Sequence, residues 1–262
     1  MPQFTAISRE RFTGKKWQRS NGYSFASTSA LVPIVGAELA AASLAMPLAL
    51  LQEGGRFALV ALLSPTPGRN MLVAPDGRWI GSFIPAYFRG YPFGLFAPEG
   101  TDQLTLCIDA NSGLVGEAGS AGEDFFDQDG KLSPALQKVL DFLGGLQRSR
   151  RDTDLAVIAL AEAGVIQPWP ITLRTGQDER LVAGLHRIDE AALNNLTDDA
   201  FLKLRKASAL QIAYAQLVSM GRLAIFEELA QLHARLTPPP PAALPESLDS
   251  IFELPSGETI RF

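Results

Sequence analysis

With two histidines and one cysteine in 262 residues, any proton-transfer chemistry in this chain must rest mainly on carboxylates. The acids best placed for it are Asp109, which closes the strand-like run Leu104–Asp109, and the pair Glu123 and Asp124 beyond a glycine-rich stretch. General acid–base work needs groups that titrate near the working pH and converge on one reacting atom. Asp109, Asp124 and His186 form the set that an enzyme reading would use, on an unknown substrate. Turn and cap acids are the commoner meaning of such positions. Cys107 lies inside Leu104–Ile108, an apolar run that reads as a buried strand, where a thiol behaves as a small inert hydrophobe.

Metal and nucleotide chemistry find no matching pattern. His186 and His233 belong to no local ligand cluster, and one cysteine cannot build a structural zinc site. Asp127-Gln128-Asp129-Gly130 resembles part of a calcium loop, but Phe125 and Leu136 stand at its first and twelfth positions, so an Asp-Gly turn is the better reading. Gly14-Lys15-Lys16 and Gly130-Lys131-Leu132 both lack the hydroxyl of a phosphate-binding loop, and neither a dinucleotide fingerprint nor a G-x-S-x-G elbow occurs. The expectation is a protein with no metal and no cofactor.

A different chemistry is concentrated between Trp79 and Phe93. Trp79 is followed by Pro85-Ala86-Tyr87-Phe88-Arg89-Gly90-Tyr91-Pro92-Phe93, in which rings supply contact area and an arginine offers a planar donor fork. Tyr, Trp and Arg are the residues enriched at binding hot spots. Trp79, Tyr87, Arg89, Tyr91 and Phe93 are therefore the candidate ligand- or partner-binding residues. The competing reading is an aromatic corner of the core with Arg89 ion-paired nearby.

The composition, 47% hydrophobic and 19% charged, suits a folded chain able to bury a sizeable core, and a net charge of -5 argues against a nucleic-acid partner. Arg9, Arg11, Lys15, Lys16 and Arg19 face one acid, Glu10, near the N-terminus. Residues 1–22 read as a solvated basic arm, with an anion-binding arm as the alternative. The apolar run Val32–Leu51 contains Pro33, Glu38 and Pro47, which fits a core helix and strand better than a bilayer span. No transmembrane segment is expected. A lone cysteine and this non-signal-like run suggest the cytoplasm rather than export.

These residues need elements to position them. Tyr23–Ile34 looks extended, and Ala37–Met46 looks helical up to Pro47. Hairpins are expected for Leu48–Gln52 with Phe57–Leu63, and for Met71–Ala74 with Trp79–Ile84 around Pro75-Asp76-Gly77. Phe93–Ala97 and Leu104–Asp109 are further strands, and glycines at 113, 116, 119 and 122 mark a loop. Ser133-Pro134 opens a helix expected to stop near Arg148, Arg150 and Arg151, with a second helix from Thr153 to Ala163. Ile166–Leu173 and Leu181–Ile188 form another hairpin, and Asp189 and Asp198 are expected caps. Ala209–Leu236 carries a broad apolar stripe, read as core first and subunit contact second.

The fold class expected is α+β. Mainly antiparallel sheet, built from hairpins in the N-terminal two-thirds and around 166–188, packs with helices at about 133–163 and 198–236. Residues 23–236 form one domain. Pro238–Pro241 begin a linker, and the tail to Phe262 is apolar enough to add as a strand to this chain or to a second copy.

Several of the same residues carry a family likeness. Tyr23-Ser24-Phe25-Ala26, Val32-Pro33 and Ala37-Glu38-Leu39 resemble the opening of the bacterial SapC family, named for a surface-layer locus. The likeness continues through Gly77-Arg78-Trp79, Ile84 to Phe93, Cys107-Ile108-Asp109, Phe125-Phe126-Asp127, Gly184-Leu185 and Ala213 to Met220, covering roughly residues 20–235. Ala110 and Gln216 depart from it, standing where an acid and a histidine are expected. The resemblance implies a bacterial protein linked to envelope and uptake systems, and it supplies no established catalytic residues to carry over. The reading that results is a non-catalytic binding or accessory protein for a peptide, a partner protein or a small ligand, with the acid–base enzyme as the alternative.

Overall fold

The computed structural model describes residues 3–97, 100–101, 103–175, 178–182 and 184–236. The linker and tail expectations, at 237–262, lie outside the described residues. The architecture is α+β with antiparallel pairing throughout, as expected, but helix makes up 42% and strand 21%, so helices outweigh the hairpins.

The main sheet has five strands in the order Ile166–Pro168, Leu185–Ile188, Leu48–Glu53, Arg56–Leu62, Leu31–Pro33. Its centre is the hairpin Leu48–Glu53 with Arg56–Leu62, registered Leu50 opposite Leu59. Gly54 and Gly55 sit at φ 55° and 78°, the left-handed region that a tight two-residue turn demands. Leu48, Ala49, Leu50 and Ala61 are fully buried, since helices cover the sheet. The covering helices are Leu39–Ala45, Ala209–Ser219 and the end of a long helix, and they contribute Ala42, Ile212, Ala213, Val157 and Leu160.

That long helix is one element, Pro134–Glu162, where two were expected. Ser133 caps it, its hydroxyl accepting from the Leu136 N–H at 3.2 Å, and Gly164 follows its end at φ 68°. Arg148, Arg150 and Arg151 lie mid-helix on the solvent side, so they do not mark a C-terminus. Two glycines and Thr153 weaken the local preference, by about 1 kcal/mol for each glycine. Burial at both ends outweighs that cost. Leu136 and Leu143 enter one core, while Ala156, Val157 and Leu160 enter the other. Twenty-nine residues at about 1.5 Å each give about 43 Å, enough to join them.

The second core corrects the view of residues 1–22 as a solvated arm. Phe4–Ala6 pairs with Thr105–Asp109, which pairs in turn with Phe93–Phe96. Lys16–Trp17 lies between Val115–Gly116 and Glu123–Asp124. Phe12 and Trp17 are buried against Phe93, Leu106, Ile108 and Phe125. Of the basic residues in this segment, Lys15 pairs with Glu117 at 3.1 Å and Lys16 with Asp124 at 3.0 Å.

Smaller differences have local causes. Tyr23–Ile34 is a 3-10 turn at Ser24–Ala26 followed by the short strand Leu31–Pro33. Met71–Ile84 forms one bridge, Val73 to Trp79, and beyond it the Trp79 indole N–H donates to the Phe83 carbonyl at 2.9 Å. The turn chemistry there is as expected, with Gly77 at φ 85°. Thr197, not Asp198, caps the Asp198–Lys206 helix, whereas Asp189 does cap Glu190–Asn194. Ile171–Thr175 and Asp178–Val182 pair as the outer part of the expected hairpin.

The stretch Ala209–Leu236 is long and apolar enough, by length and composition alone, to cross a membrane. In the fold it divides into Ala209–Ser219, a 3-10 segment Met220–Ala224 and Ile225–Leu236, and it buries Ile212, Gln216, Phe226 and Leu229 in or beside the main core.

Candidate functional site: two clefts sharing an aromatic wall

The segment Pro85 to Phe93 begins with a single helical turn, Ala86–Arg89, held in place from a distance. Glu38 is buried, and its Oε1 accepts from the Ala86 N–H at 2.6 Å and from Arg89 Nη2 at 3.4 Å. Its Oε2 has no hydrogen-bond partner among the described residues. Burial pushes the Glu38 carboxyl above its ordinary value, against the opposing pull of the Ala86 N–H and the Arg89 charge. Arg89 extends past Glu38 with its guanidinium 5.4 Å from the centre of the Phe142 ring. The core-corner reading was therefore right about the ion pair. Glu38 was missed as its partner, although a lone acid in an apolar run was the signal that could have found it.

Beyond that turn the rings form a wall. Tyr91 stacks on Phe25 with centroids 3.8 Å apart and planes 13° from parallel. Phe88 meets Phe25 at 6.0 Å and Trp79 at 5.8 Å, and Phe93 meets Trp17 edge-on at 4.7 Å. Phe25, Phe88, Tyr91 and Phe93 line two clefts, one on each side.

The larger cleft has a volume of about 850 Å³ and lies between this wall, the Phe93–Phe96 strand and the middle of the long helix. Its lining is mostly apolar, with Thr28, Ser29, Asp109, Asn111, Gln147 and Arg150 as polar exceptions, and Tyr87 stands at it 58% exposed. Few convergent polar groups in an apolar hollow of this size are what ligand sites show. The smaller cleft, about 420 Å³, lies between the wall, the Trp17–Tyr23 segment and the start of the long helix, and it carries Arg89.

The five candidate residues thus divide. Tyr87 lines the larger cleft and Arg89 the smaller, both with exposed side chains. Tyr91 and Phe93 line both, Phe93 being largely buried. Trp79 lines neither and packs on Tyr23 and Phe88. The residues that sequence reasoning missed, Phe25, Leu143, Gln147 and Arg150, come from a turn and from the long helix, where nothing in their local pattern separates a cleft wall from a core face.

The acid–base set is not brought together. Asp109, His186 and Asp124 stand on three different sheets. Asp109 is buried at the floor of the larger cleft, where its Oδ1 accepts from the Gln3 and Asn111 N–H groups at 2.9 and 3.1 Å. Its Oδ2 accepts from the Tyr91 hydroxyl at 3.0 Å. Burial and this bond push the Tyr91 hydroxyl up to about 12. Asp124 is exposed and paired with Lys16, and His186 packs edge-on against Phe57 at 5.0 Å. Cys107 is buried, which pushes its thiol up. His233 Nε2 lies 2.8 Å from the Met71 carbonyl. Among the described residues no group of three or more His, Cys, Asp and Glu side chains is placed to hold a metal.

A sequence model of the SapC family matches residues 7–225. The chain belongs to the SapC family. The match reaches into the N-terminal segment first read as an arm, in keeping with Phe12 and Trp17 being core residues. It also covers Gln216, whose side chain is fully buried: Oε1 accepts from the Ile188 N–H at 2.9 Å and Nε2 donates to the Leu48 carbonyl at 3.2 Å. This amide therefore ties a helix to two strands. No curated protein and no solved structure matches the chain.

Proposed function

We propose that this SapC-family chain is a non-catalytic binding protein whose larger cleft takes a mainly apolar peptide segment or a small molecule of similar bulk. The observation that carries the reading is Tyr87, 58% exposed beside a cleft of about 850 Å³ that it shares with Tyr91. An exposed ring beside an apolar hollow offers contact area with little ordering cost. Asp109, the one acid in the cleft lining, already accepts three hydrogen bonds, which suits a rigid floor better than a proton shuttle. The SapC resemblance to envelope- and uptake-linked proteins supports a ligand from those systems, and the lone cysteine supports a reducing, cytoplasmic address.

The test is capture from a native bacterial extract, with mass spectrometry of the bound peptides and small molecules, followed by titration of what is found. Tyr87→Ala is expected to weaken binding by about tenfold or more, while the melting temperature stays nearly unchanged because the ring is exposed. Undiminished binding by this variant would refute the reading, as would a large loss of stability.

A further inference from the structure

We infer that the smaller cleft is a separate site for a compact anion, a carboxylate or phosphate carried on a planar apolar body. The chain as a whole has a net charge of -5, yet this cleft reverses the sign locally. Arg19, Arg89 and Lys138 line it, and no acidic residue does. Glu38 compensates Arg89 in part from behind, at 3.4 Å. Arg19 and Lys138 have no ion pair or hydrogen-bond partner among the described residues, whereas Lys15 and Lys16 of the same N-terminal segment are both ion-paired.

The cations sit on three different elements. Arg19 follows the Lys16–Trp17 strand, Arg89 ends the Ala86–Arg89 turn, and Lys138 lies in the first turns of the long helix. Converging positive charge from separate elements focuses field into a low-dielectric hollow and attracts an anion, with planar guanidinium groups matching carboxylate or phosphate oxygens. The rest of the lining sets the body of the ligand. Tyr23, Tyr91 and Phe142 offer ring faces and edges, and Ser20 adds a hydroxyl. Trp17 also backs the cleft, only 1% exposed, and its indole N–H, shut off from solvent, has no hydrogen-bond partner among the described residues. About 420 Å³ suits a one- or two-ring molecule, within the range of small-ligand pockets.

Calorimetric titration of the full chain with naphthoate, naphthyl phosphate and the neutral naphthylmethanol tests this. At least one anionic probe is expected to bind about tenfold or more tightly than the alcohol, and binding should weaken with salt. The better of the two anions identifies the charged group. In the double variant Arg19→Gln/Lys138→Gln the same probe should lose about tenfold or more in affinity, with the melting temperature preserved because both side chains are exposed. The larger cleft contains neither residue, so this loss reports on the smaller cleft alone and is independent of the Tyr87 result. Failure of both anions to bind, equal binding of the alcohol, or full binding by the double variant would overturn the inference.

Discussion

The Tyr91 hydroxyl donates to Asp109 Oδ2 at 3.0 Å, tying the aromatic wall to the floor of the larger cleft. The wall is therefore positioned from below by a carboxylate and from the side by the Phe25 ring.

This pair can be read by alkaline titration. One of the four tyrosines should ionise near 12, since burial first and the Asp109 bond second oppose the phenolate. Tyr91 then contributes stability in full below its ordinary value of 10.0, and that contribution is lost as pH rises through about 12. Asp109→Asn should bring the Tyr91 transition down without returning it fully, because burial remains. An unchanged phenolate absorbance profile would count against the bond.

Asp109→Ala removes the acceptor for three donors at once, the Gln3 and Asn111 N–H groups and the Tyr91 hydroxyl. A loss of about 2–4 kcal/mol in denaturant unfolding is expected, because buried donors are left unmet. A loss under about 0.5 kcal/mol, the scale of surface changes, would show that the three bonds do not persist in solution.

Glu38 predicts a pH dependence of the opposite kind from most carboxylates. Its native value is raised above 4.5, so its contribution to stability is full below 4.5 and is lost as pH climbs through the raised value. Glu38→Gln keeps an oxygen for the Ala86 N–H but cannot ionise. The melting temperature of the variant minus that of the wild type should therefore become more positive as pH rises from about 4.5. A difference that is flat with pH would mean that Glu38 ionises normally.

How far the sequence reaches depends on what each residue's signal is. Turn glycines, the Ser133 cap and the central hairpin were legible because their chemistry is local. The aromatic segment was legible as a composition, but its division between two clefts was not, because Phe25 and the long helix supply the opposite walls. The helix itself was misjudged at Arg148–Arg151 because continuity there comes from packing at its two ends. Thr153 shows how: its hydroxyl donates to the Ser149 carbonyl at 2.6 Å and accepts from the distant Gly36 N–H at 2.8 Å. Tertiary contact overrode a plausible stop.

Gln216 offers a direct test of a buried amide that joins a helix to two strands. Gln216→Leu strands the Ile188 N–H and the Leu48 carbonyl in a dry interior and should cost about 2–4 kcal/mol. Gln216→His, with one donor and one acceptor on a neutral ring, should cost less. Equal losses measured by chemical denaturation would show that volume, not hydrogen bonding, matters at this position.

Removal of residues 1–22 separates the arm reading from the fold described here. A solvated arm could be deleted with little effect on melting. In this structure the deletion removes Phe12 and Trp17 from the second core, the outer strand Phe4–Ala6 and the central strand Lys16–Trp17. Trp17→Ala alone should cost about 3–5 kcal/mol by emptying the space between Phe93 and its neighbours. The full deletion should therefore yield a chain in which the Thr105–Asp109 strand loses one partner and the core around the first half of the long helix loses Phe12 and Trp17. Hydrogen exchange should then accelerate around Leu136–Leu143, while Ala156–Leu160, packed on the five-stranded sheet, remains protected. Uniform protection along the helix after the deletion would restore the arm and refute the second core.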